Sequence, residues 1–352
     1  MWCSGASGTP KGHSLAAARR RPPAIPGWVT RCSYRWNVTL VVDAELNPAQ
    51  QEVLDVLGAS RDSWPQFEPG LRAELRHELE VTLEPLAHAL ERVGAAPRTF
   101  TKHDLSSIHG CEERFMAEHA AGFPGWSVPK ARGVVAHKAI ELSMHVRDEV
   151  VPLHLVDEAL ARLTEKDSGL GSWMQTITEF DRAELTGEAV DRVSKFVECW
   201  PKLKPAWRPV LESKLIVDLC DERVSLRGKV DLTLGMAQGT AAGKVLVDLK
   251  TGGFAPEHLD DLRFYALLEA IRLGVPPRRV ATYYLDAGRF VPADVTVDSL
   301  FSAVARVVGG VQVLVELVAG GRPAVLRTGP ACGWCPLLVG CETGRLSIGD
   351  GG

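Results

Sequence analysis

Two short segments place acidic and basic side chains at strand spacing. A G-K-V-D run ends at Asp231, and V-D-L-K-T-G contains Asp248 and Lys250. Residues two apart in a strand share a face, so Asp248 and Lys250 should point the same way while Leu249 points into the core. If Asp231 lies on the neighbouring antiparallel strand, its carboxylate and that of Asp248 suit one divalent cation. Lys250 would then orient or deprotonate a water molecule. The alternative is a surface salt bridge on a hairpin.

Two predicted helices carry further candidates. A G-V-V-A-H run ends at His137, and the helical register keeps this histidine near the packed face. It is either a metal ligand or a hydrogen-bonded core residue. In D-L-R-F-Y, Asp261 and Tyr265 are one helical turn apart on the same face. Tyr265 either packs in the core or steers a phosphate of the substrate.

The cysteines near the C-terminus have ligand spacing. Cys332, Cys335 and Cys341 form a C-x2-C-x5-C pattern, and Cys111 is the candidate for a fourth ligand. Thiolates at C-x2-C spacing bind either Zn2+ or an iron-sulfur cluster, because a tight turn lets both sulfurs reach one centre. The alternative is a chance cluster of buried thiols. Eight cysteines in 352 residues are too few for a disulfide scaffold.

Other common reaction types have no anchor in the sequence. The G-T-A-A-G-K run ending at Lys244 has three residues between its glycines where a phosphate loop needs four, and Val245 follows instead of Ser or Thr. There is also no G-x-S-x-G elbow and no H-E-x-x-H motif. An ATP motor and the common hydrolase classes are therefore not indicated.

The elements that must position these residues fall into two parts. The first 200 residues are mainly helical, with a leucine stripe over 68–93 that is one helix kinked at Pro85 or two helices. The further helical patterns cover 104–120, 131–147, 152–164 and 173–200. An antiparallel meander follows, in which the second and third runs could form one strand through Gly228. Its strands are predicted at 213–219, 223–226, 230–234 and 245–249. A helix at 256–273, a strand at 280–285 and a helix at 297–318 complete the order.

The charge distribution limits what the chain can bind. The net charge of -4 excludes a protein that binds nucleic acid through a surface that is basic all over. No acidic residue precedes Asp43, and residues 1–35 read as a flexible basic leader, with a transit peptide or a nucleic-acid arm as alternatives. We find no 18-residue apolar window, because Gln312 and Glu316 interrupt the best stretch, Val307–Val318. We therefore expect a cytoplasmic protein with no membrane partner.

Together these motifs resemble a known superfamily. The succession of G-x-x-x-H, G-x-V-D, D-L-K-T-G and D-x-x-x-Y is similar to the RecB-like branch of the PD-(D/E)xK nucleases. One cysteine before these motifs and C-x2-C-x5-C after them resembles the iron-sulfur subgroup, which includes the AddB nuclease domain and the CRISPR-associated RecB-like exonucleases. The surroundings of Cys111, T-x-H-x-L-x-x-I-x-x-C-x-x-x-F, are also similar to the opening of that domain. The resemblance covers roughly 100–345.

The resemblance implies a fold, a ligand set and a reaction. The fold is α/β, with a PD-(D/E)xK restriction-endonuclease-like core of a central mixed sheet flanked by helices and a helical N-terminal portion. The implied domains are the leader at 1–35, a helical extension at 36–100 and the nuclease domain at 101–345. Mg2+ or Mn2+ would be held by His137, Asp231, Asp248 and the main-chain carbonyl of Leu249, with Lys250 and Tyr265 also in the catalytic site. A 4Fe-4S cluster would be held by Cys111, Cys332, Cys335 and Cys341.

The function implied is a metal-dependent deoxyribonuclease acting on single strands or DNA ends, in DNA repair, recombination or CRISPR-type DNA processing. A helicase or another repair protein is the implied partner. Two departures affect substrate positioning: Asp261 stands where the family usually has Gln, and Glu112 follows the first cysteine in place of Pro. They motivate the alternative of a catalytically weak or inactive iron-sulfur partner of a helicase that binds DNA. A third reading is a zinc-stabilised interaction protein in which the D-L-K run is coincidental.

Overall fold

The computed structural model describes residues 46–122, 125–146, 150–165 and 169–349, so the predicted leader at 1–35 lies outside the described residues. The architecture is the predicted one, a mixed sheet flanked by helices with a helical N-terminal portion. The strands are β1 (Arg98–Phe100), β2 (Val210–Leu219), β3 (Val224–Leu234), β4 (Val245–Lys250), β5 (Arg279–Tyr284) and β6 (Arg289–Asp294). The helices before the β2–β4 meander are α1 (Pro48–Leu57), α2 (Leu71–Arg92), α3 (Lys102–Gly110), α4 (Glu112–Ala121), α5 (Val128–Ser143), α6 (Pro152–Glu165), α7 (Gly169–Met174) and α8 (Glu179–Cys199). Those after it are α9 (His258–Leu273), α10 (Val297–Val318) and α11 (Glu342–Gly349).

The sheet is organised around β3, which is one continuous strand through Gly228. Along one edge β3 pairs antiparallel with β2 over nearly its whole length. Its other edge is shared, because β1 pairs parallel with 224–226 and β4 pairs antiparallel with 232–234. The sheet then continues through β5, parallel to β4, and β6, antiparallel to β5. The predicted antiparallel meander of β2, β3 and β4 is confirmed.

Each face of the sheet has its own hydrophobic core. The first core contains α2, α9 and α10, and the predicted leucine stripe of α2 is buried there in a single helix that includes Pro85. The second core contains α5, α6 and α8. The alternation of β4 divides between them, because Leu246 belongs to the first core and Val247 and Leu249 to the second. Asp248 and Lys250 therefore lie on the face toward α9.

Helix α10 is more apolar than the sequence pattern led us to expect. An 18-residue window within Val297–Val318 has a mean hydropathy of 1.7, so by length and composition this helix could cross a membrane. Our expectation that no such window exists is wrong, because two polar residues do not offset a run rich in valine. One face of α10, including Leu300, Val304 and Val311, is buried in the first core, and core helices of this kind pass the same test.

Other differences from the predicted elements include interrupted and short segments. The helix predicted at 104–120 is broken at Cys111, whose extended backbone (φ -146°) ends α3 and begins α4. Helix α1 and strands β1 and β6 were not predicted. Strand β1 has only three residues, which is too short to show a hydrophobic period.

The glycine of the G-x-V-D motif has a packing role. A Cβ on Gly228 would lie 2.6 Å from Cε1 of Tyr265, so the bare backbone of β3 makes room for the ring on α9. We predict that Gly228→Ala lowers the free energy of unfolding by about 1–3 kcal/mol, measured by urea denaturation, because overpacking forces the ring to shift. Gly252→Ala is the control, since its added Cβ meets nothing within 4 Å. Equal stability of the two variants would contradict this account.

Candidate functional site

The site lies where one edge of β3 has no strand partner. Between the segments paired to β1 and β4, residues 227–231 of that edge are outside the two ladders. Asp231 lies in this gap, and its Oδ2 accepts a hydrogen bond from the backbone N–H of Leu249 at 2.7 Å. The carboxylate thus takes the place of the backbone carbonyl that would accept from Leu249 if the β3–β4 ladder continued. This hydrogen bond holds the Asp231 carboxylate at a fixed position.

Two other potential metal ligands converge on Asp231. Nδ1 of His137 lies 3.2 Å from its Oδ1. Ligand atoms of His137, Glu212 and Asp231 all lie within 4.8 Å of one another. Among the described residues, this is the one group of three or more His, Cys, Asp or Glu side chains that close together. The structure therefore brings together two of the predicted ligands with one, Glu212, that we did not predict. One imidazole and two carboxylates suit a divalent cation such as Mn2+ or Mg2+.

Glu212 reaches the site through an unusual backbone. It stands opposite Asp231 in the β2–β3 register, with a positive φ of 53° that non-glycine residues rarely adopt. At this point the apolar side chains of the β2–β3 hairpin switch from one core to the other. Leu211 and Leu232 pack in the second core, and Leu215 and Val230 pack in the first. Backbone strain of this kind is found at functional sites.

His137 is brought to Asp231 by a close approach of α5 to the end of β4. A Cβ on Gly133 would lie 3.2 Å from Oγ1 of Thr251, so the small residue lets the helix lie against the strand end. His137 follows one turn later on α5 and faces the gap in β3. The glycines of G-x-x-x-H and G-x-V-D are therefore explained by two close approaches, one to Thr251 and one to Tyr265.

Asp248 lies beside this group and is held by two ammonium groups. Its side chain is almost fully buried, with Lys250 Nζ 2.9 Å from Oδ2 and Lys102 Nζ 2.8 Å from Oδ1. Asp261 on α9 balances the two lysines, because its Oδ2 lies 3.4 Å from Lys250 Nζ and 3.7 Å from Lys102 Nζ. It also accepts a hydrogen bond from Ser106 Oγ at 3.1 Å. Asp248, Lys250 and Asp261 were predicted, whereas Lys102 was not.

Lys102 is placed by the parallel pairing of β1 with β3. It is the first residue of α3, directly after Thr101, whose hydroxyl and backbone N–H form a capping box with Asp104. The Lys102 ammonium lies 5.0 Å from the centre of the Tyr265 ring, within the range of a cation–π contact. The sequence signal for Lys102 is weak, because its ion pair with Asp248 joins residues 146 positions apart.

The charges of the site stabilise one another. Burial disfavours the charged form of Asp248, but the ammonium groups of Lys102 and Lys250 hold its pKa well below its ordinary value. Burial likewise opposes the charge on Lys102, but Asp248 raises its pKa well above the usual range. For His137, the carboxylate of Asp231 outweighs burial and raises the pKa of the imidazole. Burial raises the pKa of Tyr265 to about 12, so its hydroxyl stays protonated at neutral pH.

Asp248, a predicted ligand, is not among the three residues whose ligand atoms lie within 4.8 Å of one another, but two further oxygen atoms are available to a cation beside that group. Asp248 Oδ2 is buried and, among the described residues, has no hydrogen-bond partner, although the charge of Lys250 is close. The carbonyl of Leu249 faces the gap in β3, because the N–H and C=O of one strand residue point to the same side and its N–H donates to Asp231. Lys250, the next residue, turns its carbonyl toward β5 and accepts from the N–H of Leu285.

The four predicted cluster cysteines line one cavity. Cys111, Cys332, Cys335 and Cys341 lie on the wall of a space of about 1090 Å³ that also reaches Lys102, Lys250 and Asp261. Burial raises the pKa of the Cys335 thiol, to which nearby Cys111 and Cys332 also contribute. Among the described residues, no three of these sulfurs lie within 4.8 Å of one another. Tetrahedral Zn2+ would hold them about 3.8 Å apart, since Zn–S bonds are about 2.3 Å long.

Glu112 joins the two ends of this region. Its buried carboxylate accepts from Arg322 Nη1 at 2.5 Å and from the backbone N–H of Val325 at 2.9 Å. The hydrogen bonds from Arg322 are the main reason why the pKa of Glu112 lies below its ordinary value. Glu112 therefore anchors the segment after α10 next to Cys111.

Comparison with known proteins gives distant structural matches. No family model matches the chain, and no curated protein does. One solved structure, "Putative exonuclease" from Eubacterium rectale, is 11% identical, with a TM-score of 0.43 over 73% of this chain and 91% of that chain. A second, SSO0001, is 12% identical, with a TM-score of 0.33 over 75% of this chain and 96% of that chain.

The trio around Asp231 leads to a prediction on metal binding. We expect Glu212→Gln to weaken Mn2+ binding at least about tenfold, measured by isothermal titration calorimetry, because the amide removes one anionic ligand. Glu184→Gln is the control, since Glu184 is an exposed residue of α8. If Glu212→Gln binds Mn2+ as tightly as the parent protein, Glu212 is not a ligand and serves only the backbone turn of β2.

Proposed function

We propose that the protein is a metal-dependent nuclease that hydrolyses the phosphodiester bonds of DNA, on single strands or at DNA ends. The observation that carries the proposal is the buried Asp248–Lys250 pair beside the His137, Glu212 and Asp231 group. A divalent-cation site with a lysine beside it supplies the groups that metal-assisted phosphodiester hydrolysis uses. The order of motifs that resembles the RecB-like nucleases supports the same conclusion.

Each residue has a chemical role in this proposal. Asp231, Asp248, His137, Glu212 and the Leu249 carbonyl would hold Mg2+ or Mn2+. The cation would supply Lewis-acid chemistry to the phosphodiester and activate the attacking water. Lys250 is held at 2.9 Å from Asp248, where its ammonium can orient the water and offset the charge that develops on the phosphate.

The main argument for an inactive protein was Asp261, because an acidic group in this position would repel the DNA phosphate. Lys102 and Lys250 both lie within 4 Å of its carboxylate, and Ser106 donates to its other oxygen. The ammonium groups of Lys102 and Lys250 therefore offset the negative charges of both Asp261 and Asp248. We propose that Tyr265 supports the position of Lys102, since its ring is buried between Gly228 and the Lys102 ammonium.

We also propose a 4Fe-4S cluster held by Cys111, Cys332, Cys335 and Cys341. The support is their position around one cavity and their C-x2-C-x5-C spacing, which resembles that of the iron-sulfur subgroup of the RecB-like nucleases. Because the same cavity reaches Lys250, the cluster would form part of the wall along which the DNA approaches the site.

The cleavage reaction is tested with end-labelled single and double strands. We expect the parent protein to cut DNA with Mg2+ or Mn2+, and Asp248→Ala and Lys250→Ala to cut at least about a hundredfold more slowly. The first variant removes a proposed ligand of the cation, and the second removes the ammonium that orients the water and offsets charge on the phosphate. The Asp191–Lys195 ion pair on α8, with a separation of 2.7 Å, is a matched control. Its two alanine variants should cut at the rate of the parent.

Two outcomes would decide against the nuclease. If Asp248→Ala and Lys250→Ala cut as fast as the parent, the activity belongs to another site or to a contaminant. If the parent protein binds DNA in EDTA but does not cut DNA whichever metal is added, it is the non-catalytic DNA-binding partner.

The metal of the cysteine site is tested by its colour and composition. We expect anaerobically purified protein to be brown, with a broad visible absorbance and about four irons per chain. Cys335→Ser should lose most of the colour, whereas Cys220→Ser should keep it, because Cys220 is a buried core residue outside the cavity. Colourless protein with one zinc per chain would contradict the iron-sulfur proposal.

A further inference from the structure

Four charged side chains at the site form a closed set with no net charge. The ammonium groups of Lys102 and Lys250 and the carboxylates of Asp248 and Asp261 all lie within 4 Å of an opposite partner. We call these four residues the charge quartet. Because two positive and two negative charges cancel, the quartet is balanced before any ion or substrate binds.

A divalent cation on Asp248 disturbs this balance. Mg2+ and Mn2+ approach a carboxylate oxygen to about 2.0–2.2 Å, whereas Lys102 Nζ already lies 2.8 Å from Oδ1 of Asp248 and Lys250 Nζ 2.9 Å from Oδ2. Both oxygens of this ligand are thus shared with ammonium groups. Cation binding would bring a charge of +2 next to two existing positive charges, which repel it.

Lys102 is the member of the quartet that can yield. Lys250 is on the same strand as Asp248, whereas Lys102 comes from the first turn of α3. The Lys102 side chain is 26% exposed and lies on the wall of the large cavity. Asp261 at 3.7 Å and the ring of Tyr265 at 5.0 Å give its ammonium a second set of partners when it leaves Asp248.

We propose that Lys102 opposes cation binding at Asp248 until an anionic phosphate arrives, so that metal and substrate bind cooperatively. Without phosphate, the lysine occupies Asp248 and the cation binds weakly. A phosphate group in the cavity brings negative charge, which pairs with the displaced ammonium and with the cation. The role of the phosphate rests on the proposed nuclease function, but the competition between Lys102 and the cation does not.

The test measures Mn2+ affinity by calorimetry rather than activity. The variants are Lys102→Met, Lys102→Arg, which keeps the charge, and Lys195→Met, whose ion pair and exposure match those of Lys102. Without DNA, we expect Lys102→Met to bind Mn2+ at least tenfold more tightly than the parent. Lys102→Arg and Lys195→Met should resemble the parent. A lysine with a purely structural role would leave the affinity unchanged or weaken it.

The second arm adds a single-stranded phosphorothioate oligonucleotide. We expect it to tighten Mn2+ binding to the parent at least tenfold and to have a much smaller effect on Lys102→Met, because the repulsion that it relieves is already gone. Circular dichroism confirms that each variant is folded, and Lys102→Gln replaces Lys102→Met if the latter is not.

The outcomes separate this inference from the proposed function. Mn2+ affinity of the folded Lys102→Met variant that is equal to or weaker than that of the parent overturns the inference, as does a bound oligonucleotide that tightens Mn2+ binding equally in both proteins. If the oligonucleotide binds neither protein and no DNA is cut, the nuclease proposal fails. The affinities measured without DNA then still decide whether Lys102 competes with the cation.

Discussion

The site depends on keeping a carboxylate charged inside the protein. Asp248 is almost fully buried, and an isolated charge in that position would cost several kcal/mol or be lost by protonation. Lys250 is supplied by the same strand, but Lys102 requires β1 to pair with the start of β3 so that α3 begins beside Asp248. Asp261 in turn requires α9 to pack across the sheet. Three distant segments are therefore fixed by one ionic arrangement.

The sheet provides the space for this arrangement by leaving part of one edge unpaired. Strands β1 and β4 share that edge of β3, and the gap between them exposes Asp231 to α5 and to the end of β4. On the opposite edge, Glu212 of β2 adopts a positive φ where the hairpin passes from one core to the other. The two carboxylates of this group, Asp231 and Glu212, thus come from places where regular pairing is interrupted, and side chains can converge there without competing with the ladder.

Much of this could be predicted from sequence, because local periodicity places residues on faces. The shared face of Asp248 and Lys250 and the one-turn spacing of Asp261 and Tyr265 follow from strand and helix geometry alone. Glu212 was also within reach, because a turn at residues 220–222 sets a register that places it opposite Asp231. Lys102 was not, since its position depends on a three-residue parallel strand and on a contact across 146 residues. Non-local pairing of this kind leaves no periodic trace.

The cavity connects this ionic site to the cysteines, but different interactions hold the two regions in place. Glu112, Arg322 and the N–H of Val325 fix the segment after α10 against the start of α4 without any metal. The segment that leads from α10 toward Cys332 is therefore held next to Cys111 by hydrogen bonds and an ion pair. A cluster bound there would order the wall of the cavity, whereas the buried charges of the quartet order its floor. Because these supports share no residue, a cluster proposed at the cysteines and a cation proposed at the carboxylates would affect the site independently of each other.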